Sequence, residues 1–450
     1  MKKKYFGTDG IRGLVNSYPI TSDFFTKLAF CLSENITKSK YKKVIIGKDT
    51  RISGDMIETS LIAGFLSMGI ECIQLGPVPT PVVSFMTKKY NVDLGIMISA
   101  SHNPYHDNGI KIFNNKGDKL SDIDEIKVER LIDKNNTRNF CKPLLIGKLK
   151  KYDSDFLDYK KSINKVIPKN ISFKGLKVVL DCANGAAYKI GPEILTEHGV
   201  DLITMNIKPT GKNINHNCGA LFPNNLKKAV LKNNADLGIA FDGDADRLII
   251  CDENGKLVDG DKILAIVSSS LASQGKLKGK GIVATKMSNL GLHVFLNNIN
   301  LNVYECDVGD RYVIEEMKAQ KCNLGGEQSG HIIFSDLSCT GDAILSTLQV
   351  LSILKTEGKK LSQLLLGYKE TYQKLENFKL IGDPEKVINN KHLKKKLKVW
   401  RELIKKEGSI LIRKSGTENL LRVMVQSFEK KMTNKIIKNI KSFIKEIDKK

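Results

Sequence analysis

The chain has 450 residues, 41% of them apolar, which describes a folded polypeptide with room for three or four domains and excludes a disordered one. No run approaches the ~20 apolar residues of a membrane span, the basic start MKKKYFGTDG lacks the apolar stretch of a secretory signal, and nine cysteines without a CxxC pair point to reduced thiols in the cytoplasm, not to disulfides or a zinc site. The net charge of +23 invites a nucleic-acid reading, but the lysines are spread along the chain and are densest only after Lys391, so the excess is read as a solvated surface that steers anionic small molecules.

In chain order, Tyr5 to Gly13 (YFGTDGIRG) sets three glycines around Asp9 and Arg12. Glycines let backbone approach a ligand, and arginine forks onto phosphate; an ordinary entry loop is the plain alternative. A helix follows from Thr21, with Phe24, Leu28, Leu32 and Ile36 on one face, then a strand over Lys43 to Gly47. A helix near Asp55 to Met68, a strand Ile70 to Leu75, a Pro-rich turn, a helix to Tyr90 and a strand Asp93 to Ile98 continue the alternation, which predicts a parallel or mixed sheet with helices on its faces.

That last strand runs into SASHNPYHDNGIK, Ser99 to Lys111. Pro104 cannot continue a ladder and keeps Asn103 from helical angles. Ser101 is therefore expected on a tight turn at the carboxyl end of a strand, where ligands bind in open α/β sheets, with Lys111 on the next strand. A Ser- and Asn-rich turn without function reads the same way locally.

Cys141 to Asp158 is polar and reads as an irregular linker, after which the rhythm restarts with a strand Lys177 to Asp181 and a helix Ala186 to His198. The strand Asp236 to Phe241 meets Asp242-Gly243-Asp244-Ala245-Asp246-Arg247, and Leu248 to Cys251 is extended again. Three carboxylates at alternate positions of an extended segment point to one side and suit Mg²⁺ or Ca²⁺. An EF-hand is the rival, since Glu253 is twelfth from Asp242, but the sixth position is Arg247 where that loop needs Gly, and the flanks read as strands.

A third unit begins near Asp252, with a strand Gly281 to Thr285 and VGDRYV (Val308 to Val313) heading a helix. Gly325 to His331 (GGEQSGH) then enters a strand Ile332 to Phe334; if the segment is extended, Glu327, Ser329 and His331 share a face suited to gripping sugar hydroxyls and moving a proton, though a lone His331 would read as structural. A helix covers Thr340 to Leu354. Past Gly367 a Lys-rich connector leads to two strands, Ser409 to Arg413 and Leu421 to Gln426, and a final helix. Between the strands, Ser415, Gly416 and Thr417 with Arg413 and Arg422 can cradle a phosphate; a Ser-Gly hairpin turn is the alternative.

Together the four stretches resemble the phosphohexomutase superfamily, and within it the bacterial amino-sugar branch, over nearly the whole chain. The resemblance implies three similar α/β domains with mixed sheets (1–150, 151–252, 253–368) and a smaller C-terminal α+β domain (369–450) around a central cleft. It implies Ser101 as a phosphoserine, Asp242, Asp244 and Asp246 holding one Mg²⁺ with Ser101 phosphate as a further ligand, Glu327 and Ser329 on sugar hydroxyls, and Arg413, Ser415, Gly416, Thr417 and Arg422 on the unreacting phosphate. Lys111 and His331 match general acid and base positions, and Arg12 and Arg247 match charge-neutralising ones. The implied substrate is a hexosamine phosphate, turned over through glucosamine 1,6-bisphosphate by a cytoplasmic monomer or homodimer without nucleic acid or membrane. The same chemistry on glucose or mannose phosphates is the near alternative, and GTDGIRG and Gln328 favour glucosamine. Lys414 and Asn419 stand where the family usually has Pro, and Ala343 where it usually has Gly, changes that touch loop stiffness more than chemistry. Lys111 is expected to have its pKa depressed by burial and nearby cations.

Overall fold

Apolar strands alternating with helices build four sheets in the computed structural model, which describes residues 3–7, 9–35, 42–134, 140–152, 156–404, 407–414 and 420–448. In the first sheet the spatial order is Ile11–Leu14, Asp107–Asn114, Leu94–Ile98, Lys43–Lys48, Glu71–Pro77, Leu149–Lys151. The last four run parallel, while Asp107–Asn114 is antiparallel to both its neighbours. The second sheet orders Leu257–Val258, Leu248–Asp252, Leu237–Phe241, Lys177–Asp181, Asp201–Met205, and the third Asn302–Cys306, Gly281–Thr285, Leu324–Gly326, Ile332–Phe334.

These three sheets share one plan. Three parallel strands lie in the order second, first, third, and a fourth returns antiparallel beside the third. The link from third to fourth strand thus fills the same place three times, as residues 99–106, 242–247 and 327–331. Each link leaves the carboxyl end of a parallel strand, the end at which such sheets bind ligands.

Residues from all three units merge into one apolar cluster, from Val82 and Met97 through Val178 and Phe241 to Ile282 and Leu348. The helix Ala343–Glu357 is buried on every side from Ala343 to Leu354. It carries hydroxyls there because Ser346 donates to Asp342 O at 2.7 Å and Thr347 to Ala343 O at 2.8 Å, so burial leaves neither unpaired. The fourth sheet, Tyr372–Lys379, Leu420–Ser427, Gly408–Lys414, is wholly antiparallel and packs with the helices Lys391–Ile404 and Lys430–Asp448 around its own core of Leu397, Trp400, Leu421, Val423 and Ile440.

Two segments depart from the sequence reading. The expected linker contributes the strand Leu149–Lys151, which is exposed along its whole length and so lacks the apolar alternation that marks a strand. The Lys-rich connector contains the strand Tyr372–Lys379, in which only Phe378 is buried, so it too lacks that alternation. No helix among the described residues is long and apolar enough to cross a membrane.

Candidate active site

Ser101 is fully buried and takes φ 51°, a left-handed backbone that costs a residue with a Cβ roughly 1 kcal/mol. The surrounding loop holds it there. Its N–H donates to Ser99 Oγ at 2.8 Å, and its carbonyl accepts from Arg51 Nη2 at 3.0 Å and Asn215 Nδ2 at 2.9 Å. Arg51 also reaches the carbonyls of Asn103 and Asp107, and its Nε pairs with Asp49 Oδ2 at 2.9 Å; Ser99 Oγ donates to the same oxygen at 2.6 Å. Asp49, Arg51 and Asn215 escaped the sequence reading, although DTR follows the strand Lys43–Lys48 at its carboxyl end, the same kind of place as Ser101.

The three aspartates converge as expected, for a different reason. Residues 242–247 form a turn, closed by Ala245 N–H on Asp242 O at 3.1 Å with Ala245 at φ 54°; they are not the extended segment whose alternation was expected to align them. Ala343 N–H braces the turn on Ala245 O at 3.1 Å, so the Ala in place of Gly leaves this tie intact. One carboxylate oxygen from each of Asp242, Asp244 and Asp246 lies within 4.8 Å of the others. Ser101 Oγ donates to Asp242 Oδ2 at 2.6 Å. Thr80 Oγ1 and Lys111 Nζ donate to Asp244 Oδ2 at 2.6 and 2.7 Å, and Lys111 also to Asp246 Oδ2 at 2.6 Å. The Oδ1 atoms of Asp244 and Asp246 are buried without a hydrogen-bond partner among the described residues, at a cost of about 1–3 kcal/mol each. An all-oxygen set with two such atoms fits a hard divalent cation. Burial, then Asp246 and Asp244, push Asp242 well above the usual carboxylate range, an unfavourable crowding that a cation relieves.

Lys111 is 1% exposed. Burial works to lower its pKa, as the sequence reading expected, but Asp244, Asp246 and Asp9 outweigh burial and hold it well above the ordinary lysine value. It therefore stays an ammonium. A ring of alternating charge continues from it: Asp9 lies 3.5 Å from Lys111 and also pairs with Arg12 and Lys119, and Lys119 pairs with Asp310. His331 closes the ring, 3.5 Å from Asp310 through Nε2 and 3.7 Å from Asp246 through Nδ1. Its Nε2 accepts the Gly341 N–H at 3.0 Å, which places the ring proton on Nδ1 toward Asp246. Burial lowers the His331 pKa and is outweighed by Asp246 and Asp310, so a proton added at Nε2 is welcome electrostatically but must break the Gly341 bond. Lys119 and Asp310 were not singled out from sequence, because an isolated Lys and the Asp of VGDRYV carry no spacing signal.

Residues 327–331 also form a turn, so Glu327, Ser329 and His331 do not share a face by alternation. Ser329 is exposed and donates to Glu327 Oε2 at 3.3 Å, Glu327 Oε1 accepts Gly309 N–H at 3.0 Å, and His331 turns inward. Arg12 and Arg247 each keep a buried Nε without a hydrogen-bond partner among the described residues. Burial, then Arg247 and Arg12, push His102 down to about 4, against the opposing charges of Asp246 and Asp244.

On the fourth sheet Arg413 and Arg422 are register partners on adjacent strands, and both keep a buried, unpartnered Nε among the described residues. Burial, then the like charge of Arg422, lower the Arg413 pKa, and Glu327 opposes them. Glu327 acts on Arg247 as well, so it sits electrostatically between the two arginine groups. Lys414 pairs with Glu385. Ser415, Gly416, Thr417 and Asn419 lie outside the described residues.

Known proteins match along the whole chain. Models of the phosphoglucomutase/phosphomannomutase alpha/beta/alpha domains I, II and III match residues 3–139, 154–255 and 259–372, and that of the C-terminal domain matches 381–442. The chain is similar to the phosphoglucosamine mutase of Brucella anthropi, 44% identical over 98% of this chain and 97% of that one, and to that of Sinorhizobium medicae, 42% identical over 99% and 98%. Its fold is similar to a phosphoglucomutase/phosphomannomutase family protein of Burkholderia thailandensis, with TM-score 0.81, 20% identity and 99% and 98% coverage. It is also similar to the N-acetylphosphoglucosamine mutase of Aspergillus fumigatus in complex with GlcNAc-6P and magnesium, with TM-score 0.67, 17% identity and 100% and 96% coverage. With three repeated α/β units, a smaller fourth and these matches, the chain belongs to the phosphoglucomutase/phosphomannomutase family.

Proposed function

We propose that this protein is a phosphoglucosamine mutase, an isomerase that interconverts glucosamine 6-phosphate and glucosamine 1-phosphate. The observation that carries this reading is the contact of Ser101 Oγ with Asp242 at 2.6 Å, inside an aspartate trio that keeps two carboxylate oxygens unpartnered. The name shared by full-length relatives at 42–44% identity supplies the sugar.

In this reading a phosphoryl group on Ser101 passes to the free hydroxyl of the bound sugar phosphate, breaking the bond to Oγ and forming one to O1 or O6. The bisphosphate turns end over end, and its other phosphoryl group returns to Ser101. Such transfers depend on positioning and charge neutralisation. Asp242, Asp244, Asp246 and the Ser101 phosphate would hold Mg²⁺, which polarises the phosphoryl group when bound. Arg12 and Arg247 offer their unpartnered Nε–H groups to the same phosphate. Lys111 matches the acid position toward the Ser101 oxygen as the phosphoryl group leaves; its carboxylates keep the proton on it and make it a weaker acid than a free lysine. His331 Nδ1 lies 3.7 Å from Asp246 Oδ1, beyond hydrogen-bond distance, and His331 takes a proton at Nε2 only by giving up Gly341. Glu327 and Ser329 face the sugar hydroxyls, while Arg413 and Arg422, with Ser415, Gly416 and Thr417, hold the phosphate that is not reacting.

Incubation with glucosamine 1,6-bisphosphate and Mg²⁺, followed by intact mass and peptide mapping, is expected to find one phosphoryl group on Ser101. A panel of hexose phosphates is expected to rank glucosamine 6-phosphate first. A clear preference for glucose or mannose phosphate would overturn the assignment of the sugar.

A further inference from the structure

The fourth unit has its own apolar core, so its attachment to the third depends on polar contacts. Thr371 joins Asn289 by three hydrogen bonds and Glu370 pairs with Lys262. Beyond these, two glutamines stand opposite one another on adjacent strands, Gln373 on Tyr372–Lys379 and Gln426 on Leu420–Ser427. Both reach the same turn, residues 287–290, at the carboxyl end of the strand Gly281–Thr285.

Their amides are used differently. Gln426 is buried and saturated. Its Oε1 accepts Leu290 N–H at 2.9 Å and Thr371 Oγ1 at 2.8 Å, and its Nε2 donates to Ser288 O at 3.1 Å and Ser409 Oγ at 2.9 Å. Gln373 is only partly buried. Its Nε2 donates to Met287 O at 2.9 Å, and its Oε1 accepts from Gln328 Nε2, also at 2.9 Å. Gln328 lies between Glu327 and Ser329, the two residues assigned to the sugar hydroxyls, and its other contact is with Asp259 Oδ2 at 3.5 Å. The link 327–331 therefore feels the fourth unit twice, through the hydrogen bond of Gln328 to Gln373 and through the charge of Glu327, which opposes the lowering of the Arg413 pKa.

We infer that Gln373 is a positioning residue that ties the placement of the sugar-contacting link to the placement of the fourth unit. Any rotation of that unit changes the Gln373 amide relative to Met287 or Gln328, and Gln328 carries the change to Glu327 and Ser329. The grip on the unreacting phosphate and the grip on the hydroxyls then form as one event. This places Gln328 in a contact between units, with specificity for the amino sugar left to its neighbours. The inference rests on the mutase reading.

The test is a mutant cycle of Gln328→Ala, Gln373→Ala and the double variant in the full chain, with glucosamine 6-phosphate. Each single variant is expected to raise KM ~10-fold while kcat stays within ~3-fold, because the surroundings of Ser101 are untouched. The double variant is expected to be no worse than either single one. Gln373→Glu keeps an acceptor for Gln328 and is expected to recover part of the loss. Hydrogen exchange adds a readout that a merely structural role would not move: glucosamine 6-phosphate protects the amides of 325–331 in the wild type, and that protection is lost in Gln373→Ala. KM within ~2-fold of wild type, or single effects that add fully in the double variant, would overturn the inference. If Gln373→Ala does not fold, Gln373→Met, which keeps the length of the side chain without its amide, takes its place in the cycle with Gln328→Ala. A wild type that does not turn over glucosamine 6-phosphate sinks the mutase reading itself, and that control separates the two failures.

Discussion

Around Ser101 the charges are interlocked. Asp9, Asp244 and Asp246 close on Lys111, Lys119 bridges Asp9 and Asp310, and nearly every oxygen has a cation or a donor against it. At the far side two guanidinium groups are register partners across a strand pair, burial and then the charge of Arg422 lower the Arg413 pKa, and both keep buried N–H groups without partners among the described residues. The first region is nearly neutralised by its own side chains, and its two orphaned carboxylate oxygens ask for one small cation. The second carries excess positive charge among the described residues, and in the mutase reading an incoming anion completes it. A centre that must do chemistry in one geometry profits from preorganised charge. A grip that must accept either end of a turning ligand profits from charge the ligand itself satisfies.

This contrast can be broken experimentally. Ser101→Ala is expected to lower kcat at least ~10³-fold, with no phosphoenzyme in intact-mass spectra, while sugar phosphate still binds by calorimetry. Asp246→Asn removes one of the carboxylates around the buried Lys111 while Asp244 and Asp9 remain, and is expected to cost about 1.5–3 kcal/mol in urea unfolding, together with loss of divalent-cation binding by calorimetry. Arg422→Ala is expected to raise KM ~10- to 100-fold through loss of a charge-assisted contact, with Ser101 still phosphorylated and a melting temperature close to wild type, because its Nε has no hydrogen-bond partner among the described residues. A melting temperature that falls as far as in Asp246→Asn would erase the distinction between the regions. The smallest effect is ligand stabilisation. Inorganic phosphate at ~100 times its Kd should add about 2.7 kcal/mol to the wild type, and less to Arg413→Ala.

Much of the first region was legible in sequence, because its elements obey local rules. Leu94–Ile98 is apolar throughout and is followed by Ser, Asn and Pro; Leu237–Phe241 is followed by three Asp. Such contrasts survive without knowledge of the fold. The convergence of the carboxylates was foreseen from alternation, yet a turn with Ala245 at positive φ achieves it, since local spacing does not reveal backbone handedness. What stayed hidden depends on distant partners. Lys119 and Asp310 are 191 positions apart, and Arg51 and Asp49 matter only because the loop around Ser101 folds over them. The direction of the Lys111 shift was misjudged for the same reason: burial was visible in the apolar flanks, but the three carboxylates that overrule it come from elsewhere in the chain. Gln373 looks like any polar residue of an exposed strand until its register partner Gln426 and the turn 287–290 are seen beside it.

Residues 99–106, 242–247 and 327–331 fill one slot on three copies of the same scaffold. Each can be lengthened, shortened or rewritten while the strands that anchor the other two keep their frame. Diversification of such a molecule does not require a new architecture: in the mutase reading, changes at Glu327 and Ser329 alone retune which hydroxyls are recognised, while Ser101 and the aspartate trio stand on the other two links.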